Sequence, residues 1–92
     1  MCNELNRNWE ETCKYLKDND LITDISFNVW ITPLKLIACE RDCLVFKYTD
    51  TKSYVGLENT INYTIIRYGP VITDAYNSCT GENYKKIDIR KL

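Results

Sequence analysis

Between Ser26 and Leu34 the chain reads Ser-Phe-Asn-Val-Trp-Ile-Thr-Pro-Leu, and no other stretch leaves so few structural options. Phe27, Trp30 and Ile31 stand at i, i+3 and i+4, a spacing that sets three large apolar side chains on one helical face. Upstream, Thr23 suits an N-cap and Asp24 the electropositive first turn. Pro33 ends the helix and pushes Thr32 before it towards extended geometry. A short helix carrying Phe and Trp thus delivers the chain straight into a strand. Burying the two rings contributes roughly 4–6 kcal/mol, a large share of the net stability of so small a domain.

The flanking stretches supply the layers that such a helix needs. From Glu4 to about Lys17, the residues Leu5, Trp9, Cys13 and Leu16 line one face of an amphipathic helix, which Asp18-Asn19-Asp20 ends. From Leu34 the period changes to two. Leu34, Leu36 and Ala38 point one way and Lys35, Ile37 and Cys39 the other. After the polar turn Glu40-Arg41-Asp42, Leu44, Phe46 and Tyr48 alternate with Val45, Lys47 and Thr49, which predicts a hairpin. Thr49 to Gly56 reads as a loop. The helical period returns near Leu57 and meets Gly69-Pro70, where the helix either kinks or restarts with Pro70 at its first position. It runs on through Val71, Ile72, Ala75 and Tyr76 to a stop at Thr80-Gly81-Glu82. Tyr84 to Leu92 alternates again, with Ile87 and Ile89 inward, as a third strand. The predicted fold is α+β, in the order α-α-β-β-α-β. A three-stranded sheet is packed on one face by helices, in a K-homology-like layout.

Ninety-two residues (1–92) allow one domain with a single core. A net charge of −1 argues against a strongly basic nucleic-acid binder. No apolar run is long enough to cross a bilayer, and the N-terminus lacks a signal-peptide pattern, so the expected setting is cytoplasmic, with no membrane partner. The five cysteines are odd in number and irregularly spaced, which speaks against a disulfide framework. Cys39 and Cys43 form a C-x3-C pair, yet the chain has no His and no second close Cys pair to complete a metal site; they read as small hydrophobes flanking the hairpin turn.

Without His there is no imidazole base for a Ser or Cys nucleophile, and the glycines at 56, 69 and 81 build no phosphate loop. No catalytic, cofactor or metal residue is nominated, and the chain is not expected to be an enzyme. Lys85, Lys86, Arg90 and Lys91 form a basic end that suits either a solvated strand face or weak contact with single-stranded nucleic acid. The G-x-x-G loop of an RNA-binding K-homology module is missing. Trp9 suits either core or interface, and Asp24 either the helix dipole or a partner.

Taken together, these residues resemble the N-terminal domain (domain I) of the bacterial chromosomal replication initiator DnaA. Phe27-Asn-Val-Trp30-Ile31-Thr-Pro33-Leu34 resembles that family's F-x-x-W-[ILM] helix running into the first strand. Trp9 lies where many members carry Trp. Tyr76, Thr80-Gly81-Glu82 and Ile87-Asp-Ile89 resemble the close of the domain. The likeness spans about residues 5–91. It implies a protein–protein interaction module that self-associates weakly, with Trp9 the candidate residue, and that docks the replicative helicase or initiator-regulating proteins. The helicase-facing surface of some members uses an acidic residue just before the Phe and an aromatic near the start of the third helix. Those places hold Ser26 and, approximately, Asn59 here. The 49–56 loop is longer than in that family, and Gly69-Pro70 is unusual inside its third helix. Both an excised domain and a free-standing homologue fit the length.

Overall fold

In the computed structural model, which describes residues 2–48 and 57–90, the N-terminal amphipathic stretch is helix α1, Cys2–Asp18. Its buried line is Trp9, Thr12 and Leu16, with Leu5 and Cys13 half-buried beside it. Thr12 enters the core because its hydroxyl donates to the Asn8 carbonyl one turn back, at 2.7 Å. The helix ends in a Schellman turn: Asp20 adopts φ +53°, Leu21 N–H reaches the Leu16 carbonyl at 3.0 Å, and Asp20 N–H reaches Lys17 at 3.2 Å.

Helix α2, Asp24–Ser26, starts on the expected cap, with Thr23 Oγ1 accepting from Ser26 N–H at 3.1 Å. It then widens into a π-helical turn, Phe27–Ile31. Thr32 N–H donates to the Phe27 carbonyl at 3.0 Å, an i→i+5 bond, and the Thr32 hydroxyl approaches the same oxygen at 3.3 Å. Thr32 is therefore helical (φ −52°, ψ −39°), not extended as its place before Pro33 predicts. This doubly bonded carbonyl outweighs the pre-proline preference. The wider turn also keeps Phe27 and Ile31 aligned into the core while Trp30 swings sideways and is only half-buried. The single three-residue face read from the sequence is split in two.

Strands β1 (Leu34–Glu40), β2 (Cys43–Tyr48) and β3 (Lys86–Arg90) form one sheet in the order β1-β2-β3. β1 and β2 pair antiparallel, and β2 and β3 pair parallel. Parallel pairing needs a crossover, which α3, Leu57–Thr80, supplies. The segment 49–56 read as a loop, and positions 91–92 at the close of the last strand, lie outside the described residues. β1 carries a bulge between Leu36 and Ala38 that inverts its alternation. Ala38 now pairs with Val45 on the open face, and Cys39 with Leu44 on the helix face, the reverse of the simple period-two reading.

Helix α3 passes Gly69-Pro70 without a break. Gly69, lacking Cβ, spares the helix the clash that a side chain before proline would add. Thr64 and Thr73 are buried on α3 by the device used at Thr12, donating to Thr60 at 2.8 Å and Gly69 at 2.7 Å. The helix stops at Gly81 (φ +76°), and the Asn77 amide then clamps the descending chain. Its Nδ2 donates to the Tyr84 carbonyl, and its Oδ1 accepts from Tyr84 N–H, both at 2.9 Å.

The three helices cover one face of the sheet. The other face carries Lys35, Glu40, Lys47, Lys86, Asp88 and Arg90, by their register. Val45 on that face is nevertheless buried. Arg90 on β3 reaches Glu40 on β1 at 3.3 Å, and this ion pair crosses the central strand diagonally at the level of Val45. Among the described residues no helix is long and apolar enough to cross a membrane.

Candidate protein-docking face

The packing leaves apolar surface where α2 meets α3. Leu21, Ile25 and Val29 follow one another at four-residue steps and point outward; Ile25 is 79% exposed and Val29 51%. Beside them the displaced Trp30 packs on α3, with its ring centroid 4.8 Å from Tyr63 and 6.2 Å from Tyr68. Tyr63 meets Tyr68 edge-on at 6.2 Å and is itself 46% exposed. Arg67 covers the far side of Tyr68 at 5.6 Å. The result is an aromatic ledge, half in the core and half in water, with branched aliphatic side chains along its rim. Aromatic side chains with an arginine beside them are enriched at the centres of protein interfaces.

The residues singled out from the sequence fall in different places. Asp24 is exposed in the first turn of α2, and Ser26 lies half-buried at the foot of that helix, lining a groove of about 340 Å³ with Thr23 and Arg67. Asn59 is exposed one helical turn before Tyr63, on the same side of α3. Ser26, which lines that groove with Tyr68, and Asn59 lie beside the aromatic ledge, and Asp24 stands two residues before Ser26. Trp9 lies elsewhere. It is 9% exposed, packs edge-on against Phe46 at 4.7 Å, and its indole N–H donates to the Leu34 carbonyl at 3.2 Å. Of the two readings of Trp9, core and interface, its burial fits the core: it pins α1 to the sheet and also lines a groove of about 500 Å³ with Cys13, Lys17 and Phe27.

Lys85 lies in the approach to β3, while Lys86 and Arg90 point out from the open sheet face. Arg90 is engaged by Glu40 and, at 3.7 Å, by Asp88. Sequence reasoning missed Ile25, Val29 and Tyr63. Their signal was an i, i+4 apolar pair lying off the Phe27–Ile31 stripe, which a search for core residues passes over.

Several thiols and phenols of the described residues, Cys13, Cys43, Cys79, Tyr76 and Tyr84, are shifted towards their protonated forms. Cys39 and Cys43 project from opposite faces of the sheet, so they cannot share a ligand or a bond. Among the described residues no three Cys, Asp or Glu side chains converge to hold a metal. Burial pushes the Cys13 thiol up to about 12, far from a working thiolate. Tyr76 is raised to about 12, chiefly by burial, with Asn8 donating to its hydroxyl at 3.3 Å and Cys39 at 3.8 Å from it. Tyr84 is raised to about 12 by its bond to Cys39 and then by burial.

These groups hold their protons more tightly when folded. Their stabilising contribution is complete below the unfolded values, 9.0 for Cys and 10.0 for Tyr, and is lost as pH rises from there to about 12. Urea melts are therefore expected to give constant stability up to about pH 8 and a steady fall from about 9 upward. A flat profile to pH 11 would contradict this.

The fold is that of a small α+β domain, and the ledge is an exposed aromatic surface upon it. The sequence matches no protein-family model.

Proposed function

We propose that this domain is a protein–protein interaction module of DNA replication initiation, in a cytoplasmic setting. It docks the replicative helicase or an initiator-regulating protein on the face formed by α2 and α3. The observation that carries the reading is the exposed row Leu21, Ile25 and Val29 beside the Trp30–Tyr63 ledge. Isolated exposed aliphatics need no explanation, but three of them on the short segment that also carries a half-exposed aromatic platform do. The resemblance of the Phe27–Leu34 stretch to DnaA domain I supplies the class of partner. Ser26 and Asn59 beside the ledge, with the exposed Asp24 on the same short helix as Ser26, are the polar rim of this reading. It is a binding role, with no catalytic step and no cofactor.

Weak binding of single-stranded nucleic acid through Lys35, Lys47, Lys86 and Arg90 is the second reading. It takes second place because Arg90 is already neutralised by Glu40 and Asp88, and among the described residues the open face carries no aromatic ring on which a base would stack.

Light scattering and pull-down against the replicative helicase and the full-length initiator test the proposal. Association is expected at tens of micromolar or tighter. The double change Ile25→Asp/Val29→Asp is expected to weaken it by at least about tenfold while leaving the melting temperature nearly unchanged, since both side chains face water. No association with either partner, or undiminished association of the double variant, would overturn the proposal.

A further inference from the structure

Strand β3 is an edge of the sheet. Lys86 N–H is directed to the Asp42 carbonyl at 3.2 Å on the β2 side. By the alternation of a parallel ladder, Ile87 and Ile89 then turn their backbone N–H and C=O groups to the outer edge. Among the described residues no strand lies on that side. Asp88 Oδ1 already accepts from Ile89 N–H at 3.0 Å, which leaves Ile87 as the open hydrogen-bonding position.

The charges on this strand alternate as Lys86, Asp88, Arg90, separated by Ile87 and Ile89. Consider two copies of β3 running antiparallel about a two-fold axis through Ile87. The two Ile87 residues exchange both backbone bonds. Lys86 of each copy stands opposite Asp88 of the other, in the close non-hydrogen-bonded positions where ion pairs form best. A two-fold through Asp88 instead sets Asp88 against Asp88 and Lys86 against Arg90. One through Ile89 pairs Asp88 with Arg90 but needs the Ile89 N–H that Asp88 Oδ1 already holds, so charge and backbone together favour the Ile87 register. Asp88 keeps Oδ1 on Ile89 and offers Oδ2, which now holds Arg90 at only 3.7 Å. On the helix side, Ile66 is 78% exposed at the rim of a groove of about 550 Å³ between α3 and β3, and the second copy brings apolar side chains to that same side.

We propose that β3 is a self-association edge. Two copies of this chain join through antiparallel β3 strands centred on Ile87, making one continuous six-stranded sheet held in register by reciprocal Lys86–Asp88 pairs. This surface is separate from the α2–α3 face and does not depend on it, so both can be occupied at once. With two reciprocal backbone bonds and a short strand the dimer is weak, with a Kd between about 10 µM and 1 mM.

Sedimentation equilibrium over that concentration range, at low and high salt, tests this. Wild type is expected to dimerise, and less so as salt rises. Lys86→Asp alone and Asp88→Lys alone are each expected to weaken the dimer by about tenfold or more, by setting like charges opposite one another. The combined swap Lys86→Asp/Asp88→Lys is expected to restore it to within about threefold, with circular dichroism confirming that all four proteins are folded. A wild type that stays monomeric to about 1 mM, single variants that dimerise as wild type does, or a double swap that fails to recover would each overturn the proposal.

Discussion

Trp9→Ala is expected to cost the fold about 3–5 kcal/mol, the range for deleting a large buried aromatic side chain. Three contacts go at once. The indole fills the space between α1 and the sheet, meets Phe46 at 4.7 Å, and caps the Leu34 carbonyl at 3.2 Å where the π-helical turn hands over to β1. A domain of this size has only about 5–14 kcal/mol in total, so the variant is expected to be marginal at 25 °C. Urea denaturation measures this directly. Trp9→Phe separates the parts: it keeps a ring against Phe46, loses the N–H donor, and is expected to cost about 1–2 kcal/mol. An alanine variant within about 1 kcal/mol of wild type would mean that Trp9 is a surface residue and that α1 is anchored elsewhere.

Pro70→Ala is expected to act with the opposite sign, stabilising the domain by about 2 kcal/mol. Pro70 lies well inside Leu57–Thr80 and is exposed at the groove between α3 and β3. It supplies no N–H for the Ile66 carbonyl, and its ring crowds that carbonyl. An interior proline is about 3 kcal/mol worse than alanine in a helix. Alanine returns some of this, about 0.5–1 kcal/mol, through a looser unfolded chain. For a domain of this length the net gain corresponds to a rise in Tm of about 8–16 °C. No change, or a loss, would show that the ring contributes contacts or curvature that α3 needs.

Much of this architecture was legible in the sequence because the hydrophobic period is strong wherever an element is long. Leu5, Trp9 and Leu16 spell α1, Ile87 and Ile89 spell β3, and Thr23 and Gly81 mark helix boundaries by their own chemistry. What escaped are single-residue changes of phase. A bulge at Ile37 adds one residue to a strand without altering its composition, yet it exchanges the faces of Ala38 and Cys39. The π-helical turn likewise keeps every residue of the Phe27–Ile31 motif but redirects Trp30 from the core to α3. Pro70 announces a break that tertiary packing overrides, since Ile61, Thr64, Tyr68, Ile72, Ala75 and Tyr76 are buried along one continuous helix.

The aromatic ledge was hidden for the same reason. It exists because Trp30 is turned aside, and Tyr63 became part of it only once α2 and α3 were set against each other. Trp9 posed the opposite problem. An amphipathic pattern orients a helix but does not say how deep its largest side chain will sink, and here it reaches Phe46 and Leu34.

The central claim is that this domain meets its partner through the α2–α3 ledge, and backbone amide chemical-shift mapping addresses it most directly. On titration of the 15N-labelled domain with the replicative helicase's partner-binding fragment, the largest shifts are expected at Leu21, Ile25, Val29, Trp30 and Tyr63, together with the Trp30 indole N–H. The Trp9 indole N–H, bonded to Leu34 in the core, is expected to hold still. Shifts gathered instead on Lys35, Lys47 and Lys86 across the open sheet, or a spectrum unmoved by saturating helicase fragment, would contradict the account.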